Sequence, residues 1–206
     1  MRKHLLLIAL TVFYIVGIAG HLWAKTLPFF QSITPLVLLA FTLIVLIPAI
    51  RDDKKMLLWF PLTYAATFAI EAAGVATGLI FGPYHYGATL GPKLLAVPLI
   101  IGANWVIVVL GALRLSERLT VRPILSALIV AALATGFDWV MEPVAIRLDY
   151  WTWHTAGIPL QNYAAWFITA AIAGYIYRLF KIKTKTILPA WYFIIQVVFF
   201  AVLRWV

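Results

Sequence analysis

Seven runs of about 20 apolar residues follow one another along the chain, and they constrain its fold more than any other feature. A helix needs about 20 mainly apolar residues to cross the hydrocarbon core of a bilayer. The runs lie near residues 5–23, 30–50, 56–80, 94–113, 123–146, 160–180 and 187–206. The connections are short, 65% of the 206 residues are hydrophobic and only 11% are charged. We therefore predict an all-α, polytopic membrane helical bundle of about seven transmembrane helices, forming one domain over residues 1–206.

Lysine and arginine are unevenly shared between the two ends of these predicted helices. Of the 16 basic residues, 12 fall at one end, Arg2 and Lys3 among them, and four at the other. The smaller set is Lys25, Lys93, Arg147 and Arg204. Because basic residues are enriched in cytoplasmic loops, we predict that the N-terminus lies inside and the C-terminus outside. The net charge of +9 then suits anionic lipid headgroups, so we expect membrane lipid and no nucleic acid as a partner.

Three acidic residues, Glu71, Asp138 and Glu142, lie inside the predicted helices. A carboxylate at mid-bilayer costs roughly 2.5–3.5 kcal/mol on insertion scales, which makes each a functional candidate. Glu71, Asp138 and Asn104 lie at similar depths in the outer half, so we expect one shared pocket. Asp138 and Glu142 are four residues apart on one helix face, and we expect at least one of them to be protonated. Pro143 follows Glu142 and predicts a kink or a helix end. Alternatively, the acids only bond neighbouring helices together.

Two outer loops carry the same arrangement of residues. A shift of 67 positions aligns Glu71 with Asp138, Tyr84-x-Tyr86 with Trp151-x-Trp153, and Pro92 with Pro159. Each segment places an acid in an outward-going helix, then an aromatic pair, then a proline that opens the returning helix. Such a repeat would surround one cavity with two acids and two aromatic loops. Although Trp and Tyr favour membrane interfaces whatever the function, we expect the mouth of a site to be lined by Tyr84, His85, Tyr86, Trp151 and Trp153.

Several functions lack the residues that they require. The last run has no lysine for a retinal Schiff base, and the chain has no cysteine for iron–sulfur or thiolate chemistry. It also lacks a G-x-G-x-x-G segment for a flavin or nicotinamide, and its four histidines are scattered. Asp52 and Asp53 stand alone where a prenyltransferase needs two Asp-rich motifs, so we interpret them as solvated surface. The remaining chemistry is acid–base work on a hydrophobic substrate, with no cofactor and no metal.

Five segments together resemble a known family. They are Glu71-Ala-Ala-Gly74, FGPYHYGATLGPKLLAVPLIIGANW (81–105), FDWVMEPVA (137–145), DYWTW (149–153) and GIPLQNYAAWF (157–167). Over about residues 56–180, this combination resembles the carotenoid 1,2-hydratase family of the CruF type, which includes bisanhydrobacterioruberin hydratases. The chain departs from the family at Thr155-Ala156, where an aromatic residue is expected before Gly-Ile-Pro. The resemblance therefore implies the reaction type more firmly than the substrate.

The resemblance implies addition of water to the terminal double bond of an acyclic carotenoid, giving a tertiary alcohol. The substrate would be of the lycopene, gamma-carotene or bisanhydrobacterioruberin type, in a prokaryotic plasma membrane. Protonation of an alkene needs a neutral carboxylic acid, and the resulting cation needs negative charge or aromatic faces nearby. We expect Asp138 to donate the proton and Glu142 or Glu71 to orient water and accept its proton, with the roles of donor and base exchangeable among the three acids. Asn104 and Asn162 would position water or a carboxyl.

Three other functions would use the same residues. A lycopene-cyclase-like enzyme would protonate the same end group and capture the cation with an internal double bond; the MEPVA segment supports it, because an acid next to proline recurs in small membrane cyclases. A transporter would use the acids as a proton relay, but the polar residues are concentrated in the outer half and mark no path across the bilayer. A carotenoid-binding protein would need only the aromatic cavity.

Overall fold

A computed structural model describes residues 2–206, with side chains from Leu5 onward. The side chains of Arg2 and Lys3, which contribute to the predicted orientation, lie outside the described part. Within it, the elements in chain order are α1 (Arg2–Leu22), α2 (Leu27–Asp52), α3 (Met56–Thr77), β1 (Tyr84–Tyr86), β2 (Lys93–Leu94), β3 (Val97–Pro98), α4 (Leu99–Ser116), α5 (Pro123–Arg147), β4 (Trp151–Trp153), α6 (Leu160–Leu179) and α7 (Leu188–Trp205). The predicted all-α bundle is confirmed.

Six of the described helices are long and apolar enough to cross a membrane. Large apolar side chains on α1 and α2 point outward, with Ile8 60% and Leu36 67% exposed. Water does not favour such extensive apolar faces, so they are lipid-facing surfaces of a membrane protein. The one remaining described helix, α6, has 20 residues but begins with Leu-Gln-Asn-Tyr, which lowers its mean hydropathy. That α6 also crosses the membrane stays a prediction, as does the orientation of the bundle.

α4 is the central helix of the bundle. Nearly all of its side chains are buried, and it packs against α2, α3, α5, α6 and α7. A helix that is apolar on every side is either buried among other helices or surrounded by lipid, and α4 is the first case. The two acid-bearing helices, α3 and α5, both pack on α4. α5 packs most extensively against α6.

The two aromatic-x-aromatic motifs form one antiparallel ribbon, β1 with β4. Tyr84 lies opposite Trp153, and Tyr86 lies opposite Trp151. Successive side chains of a strand point to opposite faces. Tyr84, Tyr86 and Trp151 are buried accordingly, whereas His85 between the two tyrosines is exposed. The segments that the 67-residue shift aligns are therefore direct partners in space.

The prolines that open the returning helices differ in one place from the prediction. Pro159 is the N-cap of α6, as expected, but α4 begins after Pro98 and not after Pro92. The short hairpin of β2 and β3 occupies the residues between them. Counted from the capping prolines, Trp105 and Trp166 occupy the same position, and their rings stack with an interplanar angle of 14°. The two halves of the repeat thus meet through these tryptophans.

Pro143 does not end α5, which continues to Arg147. A proline inside a helix has no N–H for the carbonyl four residues earlier, here that of Trp139. The guanidinium of Arg204 in α7 donates a hydrogen bond to this carbonyl instead. Its cationic carbon also lies 4.0 Å from the centre of the Trp139 ring. α7 therefore supplies the donor that Pro143 removes, and α5 can continue past the proline. Of the two predicted possibilities, a kink or a helix end, the helix end is wrong.

Asp52 and Asp53 do more than form solvated surface. The carboxylate of Asp52 accepts a hydrogen bond from the Lys185 backbone N–H at 2.7 Å, and that of Asp53 accepts one from the Lys183 backbone N–H at 2.9 Å. Hydrogen bonds from the backbone of Lys55 and Lys183 lower the pKa of Asp53. The pair therefore attaches the connection between α6 and α7 to the end of α2.

Candidate active site

Glu71, Asp138 and Glu142 line one cavity, named here the acid cavity, which the β1–β4 ribbon closes on one side. Their side chains come from α3 and α5 and are only 1–3% exposed. The void measures about 60 Å³. Since one water needs roughly 10–15 Å³ of such space, a few water molecules fit beside the three acids. The structure thus brings together all the carboxyls that the sequence singled out.

Six more of the candidate residues line the acid cavity: Tyr84, Tyr86, Asn104, Trp151, Trp153 and Asn162. His85 does not line it and differs from the prediction. Its ring lies on the exposed face of β1, where its Nδ1 is 2.7 Å from Nε2 of His154. The alternation of a strand explains the difference, because two inward neighbours oblige the residue between them to point outward.

The carboxyl of Glu142 accepts hydrogen bonds from both tryptophans of the ribbon. Its Oε2 lies 3.0 Å from Nε1 of Trp151 and 3.1 Å from Nε1 of Trp153. Its Oε1 accepts a third hydrogen bond, from Nδ2 of Asn162 at 3.3 Å. An indole N–H can only donate, so the Glu142 oxygens act as acceptors in these contacts. This set of donors suits a carboxylate.

Asn162 connects the two acids of α5. Besides its contact with Glu142, Nδ2 donates a hydrogen bond to Oδ2 of Asp138 at 2.9 Å. Asn162 belongs to the first turn of α6, which Pro159 opens, so the start of that helix fixes its position. Two buried carboxyls on adjacent turns of a helix hold one negative charge more readily than two. The amide therefore bridges a pair in which one member can keep its proton.

Glu71 lies on the α3 wall and accepts a hydrogen bond from the hydroxyl of Tyr84. Burial and then the Glu71 carboxylate raise the pKa of Tyr84 well above its ordinary value, so this hydroxyl remains a donor. The Tyr84 ring lies 4.9 Å from the ring of Trp153, measured between centroids. The ribbon thus holds the partners of Glu71 and of Glu142 against each other.

Close packing at the end of the ribbon requires glycine at position 87. The Gly87 N–H donates to the Tyr150 carbonyl at 2.9 Å, and a Cβ on this residue would overlap the backbone oxygen and carboxyl of Asp149. Asp149 has a φ of 56° and accepts a hydrogen bond from the Ala88 N–H at 3.1 Å. These hydrogen bonds hold the residues that follow β1 against those that follow α5.

Two tryptophans in the wall of the acid cavity, Trp105 and Trp166, were not among the candidates. They stack on each other, and Trp166 also stacks on Phe81. Their equal spacing from Pro98 and Pro159 is visible in the sequence. The 67-residue shift pairs Pro92 with Pro159 and so does not align Trp105 with Trp166. The β2–β3 hairpin moves the start of α4 from Pro92 to Pro98, and only this second pairing of prolines aligns the two tryptophans.

Gln196 is another lining residue that sequence reasoning missed. It lies in α7, is 2% exposed and donates through Nε2 to the hydroxyl of Tyr192 at 2.8 Å. Its buried Oε1 has no hydrogen-bond partner within the described part of the chain. A polar residue amid an apolar run was the available signal. The acid cavity therefore combines carboxyls, aromatic faces, amides and space for water, which together can perform acid–base chemistry on an apolar molecule.

Comparison with known proteins finds one matching family and one similar protein of named activity. A family described as carotenoid biosynthesis protein matches residues 33–206. The bisanhydrobacterioruberin hydratase of Haloarcula japonica is 32% identical to this chain over an alignment of 120 residues, and the match covers 52% of this chain and 39% of that protein. The chain thus covers well under two thirds of this relative's length. No solved structure matches the chain.

Proposed function

Because the chain belongs to the family of carotenoid biosynthesis proteins, we propose that it is a cofactor-independent hydratase of acyclic carotenoids. It adds water to the terminal carbon–carbon double bond and yields a tertiary alcohol, in the plasma membrane of a prokaryotic cell. The substrate is of the lycopene, gamma-carotene or bisanhydrobacterioruberin type. The observation that carries the proposal is the Asp138–Glu142 pair, bridged by Asn162 in a cavity with room for water. The name of the Haloarcula relative supports hydration.

Asp138 is the proton donor in this mechanism. Three hydrogen bonds stabilise negative charge on Glu142, whereas the side-chain donor that Asp138 receives within the described chain is Asn162 alone. The proton of the pair therefore rests on Asp138. An alkene is a weak base, so it needs such a neutral carboxylic acid in apolar surroundings. The alkene electron pair takes this proton at the less substituted carbon and leaves a tertiary cation at the other carbon.

Water then captures the cation. The carboxylate of Glu142 and the aromatic side chains that line the acid cavity stabilise the positive charge. Water forms a carbon–oxygen bond with the cation and loses one proton to Glu142. Transfer of that proton to Asp138, four residues away on the same helix, restores the starting state. Glu71, on the opposite wall, is the alternative base.

Water itself needs a polar position next to the reacting carbon. Gln196 lines the acid cavity, and its amide can form a hydrogen bond with a water molecule, whereas an alkene has no polar hydrogen to donate. Asn104 lines the same void. These amides favour hydration over cyclisation, although the stacked tryptophans would also suit a cyclase.

The test is expression in cells that accumulate lycopene, in water enriched in oxygen-18. Hydration predicts a product heavier by one water, with the heavy oxygen incorporated, and Asp138→Asn should lower its yield at least about 100-fold. A product of unchanged mass would identify a cyclase. No mass gain on lycopene, gamma-carotene or bisanhydrobacterioruberin, with folded protein in the membrane, would refute the proposal.

A further inference from the structure

A second cavity lies between α1, α2 and α7, next to the acid cavity. The two voids share four lining side chains, Leu38, Tyr150, Gln196 and Phe200. Because both voids touch the same side chains, a single layer of side chains separates them at this point. The second cavity is therefore a continuation of the acid cavity toward the first two helices.

The wall of the second cavity is mainly hydrocarbon. Aromatic and aliphatic side chains such as Phe13, Phe30 and Phe199 dominate it, and none of the described lining residues is Asp, Glu, Lys or Arg. Two of its polar residues bond within their own helices. The Thr34 hydroxyl donates to the Phe30 carbonyl at 2.9 Å, and Nδ1 of His21 donates to the Gly17 carbonyl at 2.7 Å. Such a wall favours a long apolar ligand through dispersion contacts.

The second cavity also lies next to the lipid-facing surface. Phe13 lines it and is 43% exposed on α1. Gly17, one turn further along α1, lines it without a side chain, and a Cβ there would lie 3.5 Å from the Phe199 ring. A ligand dissolved in the bilayer can therefore reach the void beside α1 without crossing water.

Resting on the proposed function, we propose that the second cavity binds the part of the polyene chain next to the end group, while the end group itself occupies the acid cavity. Each void measures about 60 Å³, so neither holds the whole chain, and the ribbon closes the acid cavity on one side. The chain must then leave through another wall. The shared side chains form the wall that leads to an apolar void and on to lipid.

The test fills the second cavity and leaves the acids unchanged. Gly17→Leu places a branched side chain in the void, whereas Gly136→Leu makes the same change on an exposed face of α5, where a Cβ meets nothing within 4 Å. Binding is followed by the circular dichroism that achiral lycopene acquires in a protein site. Hydration is measured on lycopene and on 2-methylhept-2-ene, which has the same end group without the chain.

We expect Gly17→Leu to weaken lycopene binding at least tenfold and to slow lycopene hydration accordingly, while hydration of 2-methylhept-2-ene stays near wild type. Gly136→Leu should match wild type in all three measurements. Val37→Phe, which fills the same cavity from α2, should repeat the result if Gly17→Leu folds poorly.

The outcomes separate this proposal from the proposed function. If both Gly17→Leu and Val37→Phe bind lycopene as tightly as wild type, the second cavity does not bind the polyene chain, whether or not hydration occurs. If only these variants lose binding and wild type does not hydrate lycopene, the role of the second cavity holds and the hydratase is refuted. If wild type does not bind lycopene, or if Gly136→Leu loses binding equally, the role of the second cavity is overturned.

Discussion

At the scale of single residues, the site depends on how donors are divided between two neighbouring carboxyls. Glu142 receives two indole N–H groups and an amide, and Asp138 shares that amide. Similar acids on one helix face thereby acquire different surroundings. This difference is what allows one of them to give a proton and the other to take one.

The indole donors can be removed while the rings remain. Trp151→Phe and Trp153→Phe each delete one hydrogen bond to Glu142, worth about 1–1.5 kcal/mol. We expect each variant to lower the hydration rate roughly tenfold, and the double variant to lower it further. Product formation in membranes checks this, with Trp23→Phe as a control because Trp23 is 61% exposed and lies outside the acid cavity. Unchanged rates in the double variant would contradict the role of Glu142.

At the scale of elements, contacts between helices and strands compensate for local irregularities. α5 loses a hydrogen bond at Pro143, and α7 replaces the missing donor with Arg204. The loops after α3 and α5 pair as strands, which satisfies their backbone groups near the membrane surface. Each device holds α5 in the position that its acids require.

The link between Pro143 and Arg204 predicts a coupled pair of variants. Arg204→Leu should lower the free energy of unfolding by about 1–3 kcal/mol, because it leaves the Trp139 carbonyl without its charged donor. In a Pro143→Ala background, the alanine N–H can bond this carbonyl, so Arg204→Leu should cost much less. Thermal unfolding of the four proteins in detergent measures the coupling. Equal losses in both backgrounds would show that Arg204 acts in another way.

The ribbon turn predicts a contrast between two glycines. Gly87→Ala introduces a Cβ that overlaps Asp149, and it should lower both thermal stability and hydration. Gly157→Ala is the matched control, because its Cβ meets nothing within 4 Å. Both are compared by unfolding temperature and product yield. If the two variants behave alike, close packing at Gly87 does not hold the ribbon.

At the scale of the whole molecule, the bundle leaves the acids on one side of the membrane under the ribbon. The distribution of the basic residues predicts that this is the outer side. Because the chain has no cysteine, variants with a single cysteine can test the prediction. A membrane-impermeant maleimide applied to intact cells should label Thr155→Cys and not Val121→Cys, both at exposed positions. Permeabilised cells should label both. The reverse pattern would invert the predicted orientation.

Much of this architecture can be predicted from the chain because bilayer thickness sets the length of each apolar run. Counting along helices also brings Glu71 and Asp138 to the same depth, and the structure places them in one cavity. The register of β1 with β4 could not be predicted, since it joins segments that are distant in the sequence. The start of α4 at Leu99 could not be predicted either, because the β2–β3 hairpin precedes it. Gln196 is visible in the sequence as a polar residue in an apolar run, but its place at the acid cavity depends on contacts with distant helices.

The pairing of β1 with β4 also determines when the cavity can form during translation. The ribosome must synthesise all of α4 and α5 after Tyr86 before the partner strand exists. Glu71 and Tyr84 are therefore synthesised before the other half of the ribbon exists. Asn162 follows later still, on α6. A nascent chain that stops after α5 carries all three acids but lacks both the partner strand and Asn162, and unpaired strands favour misfolding.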